Sequence, residues 1–103
     1  MSEQRLTRAI IEAVNGTLRA HVWRHQSGRV RVRGGWMHLA PSGSPDIVGY
    51  MRGTGRFLGI EVKLPGELPT AIQVTWRDAI QKAGGIAAVV WSVDDAIQVC
   101  ANQ

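Results

Sequence analysis

The spacing of apolar residues near the N-terminus predicts a helix. Leu6, Ile10 and Val14 recur every four residues, and Leu18 continues the series. This period places the side chains on one face of a helix, where they can pack against the rest of the domain. The pair Asn15-Gly16 is a stop signal, so the predicted helix runs from residue 3 to about 14.

The middle of the chain alternates between apolar and polar residues, which predicts strands. Val30 and Val32 lie between the arginines at 29, 31 and 33, and a period of two is typical of a strand. Gly28 and Gly34-Gly35 mark turns on either side of it. Two short runs, 46–51 and 57–63, then flank the turn 53–55, which predicts a β-hairpin.

The C-terminal part combines two helices with one strand. Thr70 can cap a second helix that ends at Gly84-Gly85, and its apolar face would consist of Ile72, Trp76, Ala79, Ile80 and Ala83. The apolar run 86–91 is typical of a strand buried on both faces, and Ser92 can cap a final helix. The order αβββαβ predicts an α/β fold with helices flanking a mixed central sheet.

Composition indicates one globular domain over residues 1–103. Hydrophobic residues make up 45% of the chain and charged residues 19%, which argues against disorder. The single cysteine, Cys100, excludes an internal disulfide framework and a cysteine-based zinc cluster. No apolar run approaches the ~20 residues that span a bilayer, and the N-terminus does not read as a signal peptide. We therefore expect a cytoplasmic protein without a membrane partner.

The charge balance favours an anionic partner. Twelve Lys and Arg residues oppose eight Asp and Glu residues, and ten of the twelve cations are arginines, which suit bidentate phosphate contacts. The alternation along the predicted strand aligns three of them in a row, although an ordinary solvated face would look the same. We predict DNA contacts through Arg24, Arg29, Arg31, Arg33, Arg52 and Arg56.

Candidate chemistry lies at the ends of the predicted hairpin. Asp46 begins one strand, Glu61 and Lys63 end the next, and antiparallel pairing places these ends side by side. Glu61 and Lys63 leave the same face, while Val62 points into the core and offers its carbonyl near the acids. Two carboxylates and a carbonyl suit a hard cation such as Mg²⁺ or Mn²⁺, and Lys63 could act on the attacking water. The competing interpretation is a structural ion pair between Lys63 and one of the acids.

The residues around these acids resemble a known nuclease signature. The stretches Ser42–Gly49 and Phe57–Lys63 resemble the PD-(D/E)XK motif, and more closely the virus-type replication-repair nuclease (VRR-NUC) domain. Trp23-Arg24 with Ser27-Gly28, Thr70–Gln73 and Ala83–Gly85 resemble further segments of that family. The resemblance implies a restriction-endonuclease-like core and metal-dependent cleavage of DNA, often branched DNA such as Holliday junctions. It also implies a stand-alone phage or prophage protein that acts as a homodimer.

Two helical residues join the expected site. Many relatives begin the second helix with Leu-Thr/Ser-Pro-x-Gln, and here the Leu and Pro are displaced while Gln73 is retained. Gln73 is either a solvent-edge residue or a hydrogen-bond partner of Lys63 or the attacking water. The resemblance also implies an acid from the first helix. Glu3 lies on the apolar stripe and Glu12 lies off it, so we assign Glu3 as a metal or water ligand rather than an idle first-turn residue.

The tryptophans and histidines have different expected positions and roles. Trp76 and Trp91 are expected in the core, whereas Trp36 beside Gly34-Gly35 could stack on a base or pack in a dimer. His21 and His25 lack metal-ligand spacing and are taken as non-ligands.

The leading hypothesis is a metal-dependent DNA endonuclease. The alternatives are a DNA-binding module without catalysis and a structural subunit of a phage assembly.

Overall fold

The computed structural model describes residues 1–26 and 29–103, so the predicted turn at Gly28 and the Ser27-Gly28 resemblance lie outside the described residues. The elements along the chain are α1 (Glu3–Gly16), β1 (Ala20–Arg24), β2 (Arg29–Val32), β3 (Gly35–His38), β4 (Ile47–Met51), β5 (Phe57–Val62), α2 (Ala71–Lys82), β6 (Ile86–Val90) and α3 (Val93–Ala101). None of the helices formed by these residues is both long and apolar enough to cross a membrane.

The main sheet is mixed, as the sequence predicted. Its strand order is β1-β4-β5-β6, in which β4 pairs antiparallel with β1 and β5, and β6 pairs parallel with β5. Strands β2 and β3 come between β1 and β4 in the chain and form a separate antiparallel hairpin outside the main sheet. The strand predicted around Val30 and Val32 is β2 of this hairpin and is not part of the main sheet. With β1 as the first strand of the main sheet, and apart from the hairpin and the final helix, the order is the predicted αβββαβ.

The core lies between one face of the sheet and helices α1 and α3. Alternate residues of β5, namely Leu58, Ile60 and Val62, are fully buried there, as the two-residue period of a strand requires. Ile10 and Val14 of α1 pack against them, so the predicted apolar stripe is confirmed for these residues. Helix α2 packs on the other face, against β5 and β6.

The first helix ends differently from the prediction. Ser2 caps its start by accepting a hydrogen bond from the Arg5 N–H at 3.1 Å, and the helix continues to Gly16. Leu18 adopts φ +61° and is 73% exposed, so its assignment to the buried stripe was wrong. The left-handed conformation at Leu18 turns the chain out of the helix and toward β1.

Helix α2 is covered less than its apolar pattern predicted. Its ends match the prediction, because Thr70 caps it and Lys82 lies in its last turn, but none of its residues is fully buried. Trp76 and Trp91 are half-buried rather than core residues. Each indole N–H needs an acceptor, and each finds a loop carbonyl: Trp76 donates to Ser42 O at 3.2 Å and Trp91 to Glu67 O at 2.8 Å.

The β2–β3 hairpin stands apart from the core. All four residues of β2 are exposed, and Arg33 falls in the turn that follows rather than in the strand. Trp36 is 52% exposed, as predicted, and the Arg29 guanidinium lies 4.4 Å from the centroid of its ring. This cation–π contact stiffens a small sheet that has little core of its own.

Candidate active site

The loop before β4 fixes the position of Asp46. Ser44 is buried, and its hydroxyl donates to the Pro41 carbonyl at 2.7 Å. Gly43 adopts φ +83°, and a Cβ there would lie 2.8 Å from the Ile72 side chain, so the turn requires glycine. The short polar stretch that the sequence showed before Asp46 is therefore a rigid support for the acid.

Asp46 joins the ends of three neighbouring segments. Its carbonyl accepts a hydrogen bond from the His25 N–H at 2.7 Å, just beyond β1. Its Oδ2 atom accepts the Val62 N–H at 2.9 Å, at the end of β5. One carboxylate oxygen is thus held by the backbone beside Glu61, and the predicted juxtaposition of Asp46 with the Glu61–Lys63 segment is present in the structure.

Glu61 lies on the face of β5 that is turned toward α2, and the other face of β5 packs in the core. The register Ile47–Ile60 continues to Asp46 and Glu61, and Glu61 is only 7% exposed. Gly59, two residues earlier on the same face, lets the Pro45 ring pack closely, since a Cβ at this position would lie 2.8 Å from Pro45 Cγ. The packing of Pro45 over Gly59 brings Asp46 against Glu61.

We call Asp46 and Glu61 the acid pair. The burial of Glu61 determines the electrostatics of this pair. Burial raises the pKa of Glu61 to about 9, and the hydrogen bond with the Asp46 carboxyl and the charge of Asp46 act in the same direction. The charge of Lys63 opposes these effects. At neutral pH without a cation, Glu61 therefore keeps its proton, and the site does not hold two buried negative charges.

Glu3 lies on the rim of the same site. Glu3 and Asp46 line an open cleft of about 330 Å³, together with Thr7, Arg24 and His25. Burial raises the pKa of Glu3, the charges of Asp46 and Glu67 raise it further, and Lys63 opposes them. Glu12 is exposed. Of the two acids in α1, the one assigned to the site is therefore the one that faces Asp46.

Lys63 follows β5, and its backbone N–H donates to the Val90 carbonyl at 3.0 Å. In the described part of the chain, the single ion pair joins Arg77 to Asp78. Lys63 is therefore in no direct pair with Asp46 or Glu61, although its charge influences both Glu61 and Glu3. The interpretation of Glu-x-Lys as a structural ion pair thus lacks the contact that it requires.

The donor set suits a hard cation. Two carboxylates meet at Asp46 and Glu61, and a divalent ion would relieve the repulsion that now retains a proton on Glu61. Within residues 1–26 and 29–103, no three Asp, Glu, His or Cys side chains are gathered to hold one ion. Glu3 consequently faces the cleft without completing a three-carboxylate cage. Backbone oxygens and water would have to supply the remaining ligands, as Mg²⁺ commonly accepts.

Gln73 has a structural role that the sequence did not reveal. Its Oε1 atom accepts the Thr70 N–H at 2.9 Å, and the Gln73 N–H donates to the Thr70 hydroxyl at 3.3 Å, so the two residues form a capping box. Gln73 also lines a narrow crevice with Glu61. Its amide nitrogen and the second lone pair of its oxygen remain available, so a hydrogen bond to Lys63 or to the attacking water stays a prediction.

The predicted DNA-binding arginines fall into separate groups. Arg24 and Arg29 line the cleft with Asp46, and Arg31 lies further along the hairpin. Arg52 is exposed near the turn after β4. Arg56 is held in place, because its guanidinium donates to the Gly84 carbonyl at 3.1 Å and to Gln103 Oε1 at 3.3 Å.

Two residues near the site were missed at the sequence level. His25 lines the cleft although its spacing argued against a ligand role, and Glu67 influences the pKa of Glu3. Glu67 folds back because the Pro65-Gly66 turn lets its Oε1 atom accept the Leu64 N–H at 2.7 Å. The Pro-Gly turn was a signal that could have placed Glu67 near Lys63.

The sheet order, the helices on both faces and the acids at adjacent strand ends define a restriction-endonuclease-like α/β core. More particularly, the chain has the fold of a solved "VRR_NUC domain", with a TM-score of 0.66 over 94% of this chain and 91% of that chain, at 21% sequence identity. No family model and no curated protein matches the chain. The likeness at this identity establishes the fold alone.

Proposed function

We propose that this protein is a divalent-metal-dependent nuclease that hydrolyses phosphodiester bonds in DNA. The observation that carries the proposal is the meeting of Asp46 and Glu61 at adjacent strand ends, with Lys63 close by and outside any direct ion pair. Burying a carboxyl group costs free energy, and carboxyl groups with a raised pKa are concentrated at functional sites. The likeness to a solved VRR_NUC domain supports the same conclusion, because that name denotes a nuclease domain.

The residues that would hold Mg²⁺ or Mn²⁺ are Asp46, Glu61 and the Val62 carbonyl, with Glu3 as a further ligand directly or through water. The bound ion would supply the charge that holds a phosphate oxygen and lowers the pKa of the attacking water. Asp46 is oriented for this role by the Val62 N–H, which fixes one of its oxygens. Glu61 must lose its proton when the ion binds.

Lys63 is the residue that would act on the reacting groups. As a cation near both Glu61 and Glu3, it can orient the attacking water and offset negative charge on the phosphorus oxygens. Gln73 can assist through its amide nitrogen or the second lone pair of its oxygen, while that oxygen also holds the helix cap.

The proposed substrate is branched DNA, including four-way junctions, and the proposed assembly is a homodimer. The net charge of +4 and the arginines of the cleft and hairpin favour a polyanion, whose backbone they would contact with little sequence preference. A two-fold dimer would present two sites to two strands. A phage origin and a cytoplasmic location are part of the same proposal.

The decisive experiment is a cleavage panel of duplex, flap, splayed and four-way DNA with Mg²⁺, Mn²⁺ or EDTA. We expect cutting of branched DNA only with a divalent ion, and Lys63→Ala should reduce the rate by at least about 100-fold while the fold is retained. Lys82→Ala is the matched control, because it removes the same charge at the far end of α2. Equal rates for Lys63→Ala and the parent would refute the mechanism.

The same panel separates the alternatives. A protein that binds junctions in EDTA and never cuts with either metal is a DNA-binding module that retains the fold. A protein with only weak, uniformly salt-sensitive DNA affinity is a structural subunit. Circular dichroism and thermal unfolding of each variant establish that a lost activity is not a lost fold.

A further inference from the structure

One face of three neighbouring strands carries four rings. The register pairs His21 with Tyr50, and Tyr50 with Phe57, and Trp23 lies two residues beyond His21 on the same side of β1. We call the set His21, Trp23, Tyr50 and Phe57 the aromatic face. Trp23 is 46% exposed, Tyr50 38% and Phe57 44%, so each ring offers a large part of its surface to a partner.

The rings of this face hold one another in place. His21 contacts Trp23 and Tyr50 edge to face, with centroids 5.4 and 5.6 Å apart, and Trp23 lies 6.4 Å from Tyr50. A hydrogen bond of 3.3 Å joins His21 Nδ1 to the Tyr50 hydroxyl. Rings that are already ordered lose little side-chain entropy when a flat ligand binds to them.

The fold leaves this face largely uncovered. The opposite face of the same strands supplies Ala20, Val22 and Leu58 to the core beneath α1 and α3. Helix α2, which lies on the aromatic side, packs on β5 and β6 at the other edge of the sheet. A contiguous exposed cluster of this kind marks an interaction site rather than an accident of folding.

The aromatic face adjoins the acid pair. Trp23 pairs with Val48, and Asp46 lies two residues before Val48. Trp23 and Asp46 are therefore diagonal neighbours on one face, a relation in which the Cα atoms are roughly 7–8 Å apart. The next residue, Arg24, points to the opposite face of β1 and lines the cleft with Glu3 and Asp46. Asp46 is thus a neighbour of both the cleft and Trp23, and a strand whose phosphate lies at Asp46 can place an adjoining base against Trp23 by passing around the end of β1.

The charges around the rings distinguish between possible occupants. Arg19 precedes β1, Arg24 ends it on the cleft side, and Arg52 follows β4, whereas the carboxyl groups on or directly beside the three strands are those of the acid pair, Asp46 and the buried Glu61. Two copies stacked through this face would bring arginines against arginines, which is unfavourable. A nucleic acid strand supplies both bases for the rings and phosphates for the arginines.

We propose that the aromatic face binds unpaired bases of a single-stranded DNA segment next to the phosphate held at the acid pair. This inference rests on the proposed function and specifies its substrate as DNA with a single-stranded arm. Aromatic platforms bordered by cations are the general means by which proteins bind single strands, and they tolerate any base because every base has a stacking face.

The test is binding in EDTA, measured by fluorescence anisotropy with an oligothymidine single strand and a duplex of the same length. Trp23→Ala and Tyr50→Ala should each weaken single-strand binding by about 5- to 150-fold, whereas their duplex affinity should remain unchanged. Trp23→Phe should keep most of the affinity, because a ring remains. Leu68→Ala is the control, since Leu68 is 78% exposed outside the aromatic face.

Two results would overturn the inference. One is unchanged single-strand affinity in both alanine variants with the fold intact, as thermal unfolding would establish. The other is a dimer that Trp23→Ala converts to a monomer in sedimentation, which would make this face a contact between copies. Because binding is measured in EDTA, ring-dependent binding by a protein that never cuts would refute only the proposed function. Cutting of branched DNA with ring-independent binding would refute only the inference.

Discussion

The two carboxyl groups of the acid pair lie in different environments. Asp46 is anchored by the Val62 N–H, whereas Glu61 is enclosed beneath α2 and retains its proton, with a pKa of about 9. Two ionised carboxylates at this separation would repel each other in a poorly solvated site. The proton on Glu61 removes that repulsion. If the proposed metal ion binds here, its binding must release this proton, so the two events would be coupled at Glu61.

This coupling predicts the pH dependence of stability. The pKa of Glu61 is about 9 in the fold against an ordinary value of 4.5, so between these values the folded chain holds a proton that the unfolded chain has lost. Without metal, the free energy of unfolding should therefore fall as the pH rises across this window. Glu61→Gln should flatten the profile, and urea unfolding in EDTA at several pH values measures it.

Added Mg²⁺ provides the complementary measurement. Protons compete with the cation for Glu61, so Mg²⁺ should stabilise the parent more at about pH 8 than at about pH 5. Glu61→Gln should lose most of this metal effect at both pH values. A parent whose stability in EDTA rises from pH 5 to 9 would contradict the assignment of the raised pKa to Glu61.

Asp46 has a structural and a chemical role that two substitutions separate. Asp46→Ala leaves the Val62 N–H without its acceptor and should cost about 1–3 kcal/mol of unfolding free energy. Asp46→Asn keeps an oxygen at that place and should be more stable than Asp46→Ala. Both variants should fail to cut, because neither supplies the carboxylate charge. Denaturant unfolding and the cleavage assay are run on the same samples, and equal stabilities would show that the hydrogen bond contributes nothing.

Among the elements, the β2–β3 hairpin has the clearest testable role. Arg29 is held over Trp36 beside the cleft, and Arg31 lies further along the same strand. If both contact phosphates, the double substitution Arg29→Ala with Arg31→Ala should reduce the slope of log affinity against log salt by about 2. DNA binding at several salt concentrations gives the slope. Lys82→Ala should leave it unchanged, and an unchanged slope in the double variant would exclude the hairpin from the DNA contact.

The elements also show how far local sequence patterns reach. The β4–β5 hairpin and its acid pair were predictable, because a short turn between two strands fixes their register and hence which ends meet. The caps at Thr70 and Ser92 were predictable for the same reason, since a cap depends on residues three positions away. Each of these features is decided within a short stretch of chain.

Features that depend on distant segments were not predictable. The period of α2 identified an apolar face, but how completely the sheet covers it depends on strands formed elsewhere, and Ile72 remains half exposed. His25 lies beside Asp46 only because the chain returns after β3 to the end of β1, where the His25 N–H donates to the Asp46 carbonyl. The sequence pattern predicted which acids meet at the strand ends. The contacts around those acids depend on the assembled fold.

For the whole molecule, small size and positive charge bear on how it would meet the proposed DNA substrate. The 103-residue chain carries the one acid pair described above, whereas resolving a junction, if that is its reaction, requires two cuts. A two-fold dimer supplies two equivalent sites without enlarging the chain. Sedimentation should therefore give twice the chain mass of 11.2 kDa at micromolar concentration. A monomeric mass both with and without DNA would contradict the proposed assembly.

A mixing experiment tests whether paired sites act together. Parent protein combined with an excess of Lys63→Ala should form mainly dimers with one functional site, provided that subunits exchange before DNA is added. Such dimers should nick one strand of a four-way junction, so nicked DNA accumulates while paired cuts decrease. Independent monomers would instead give the parent's ratio of nicked to fully cut DNA at a lower rate. Mixing with Lys82→Ala keeps both sites functional and should give the parent's product ratio, because only the Lys63 change removes a site.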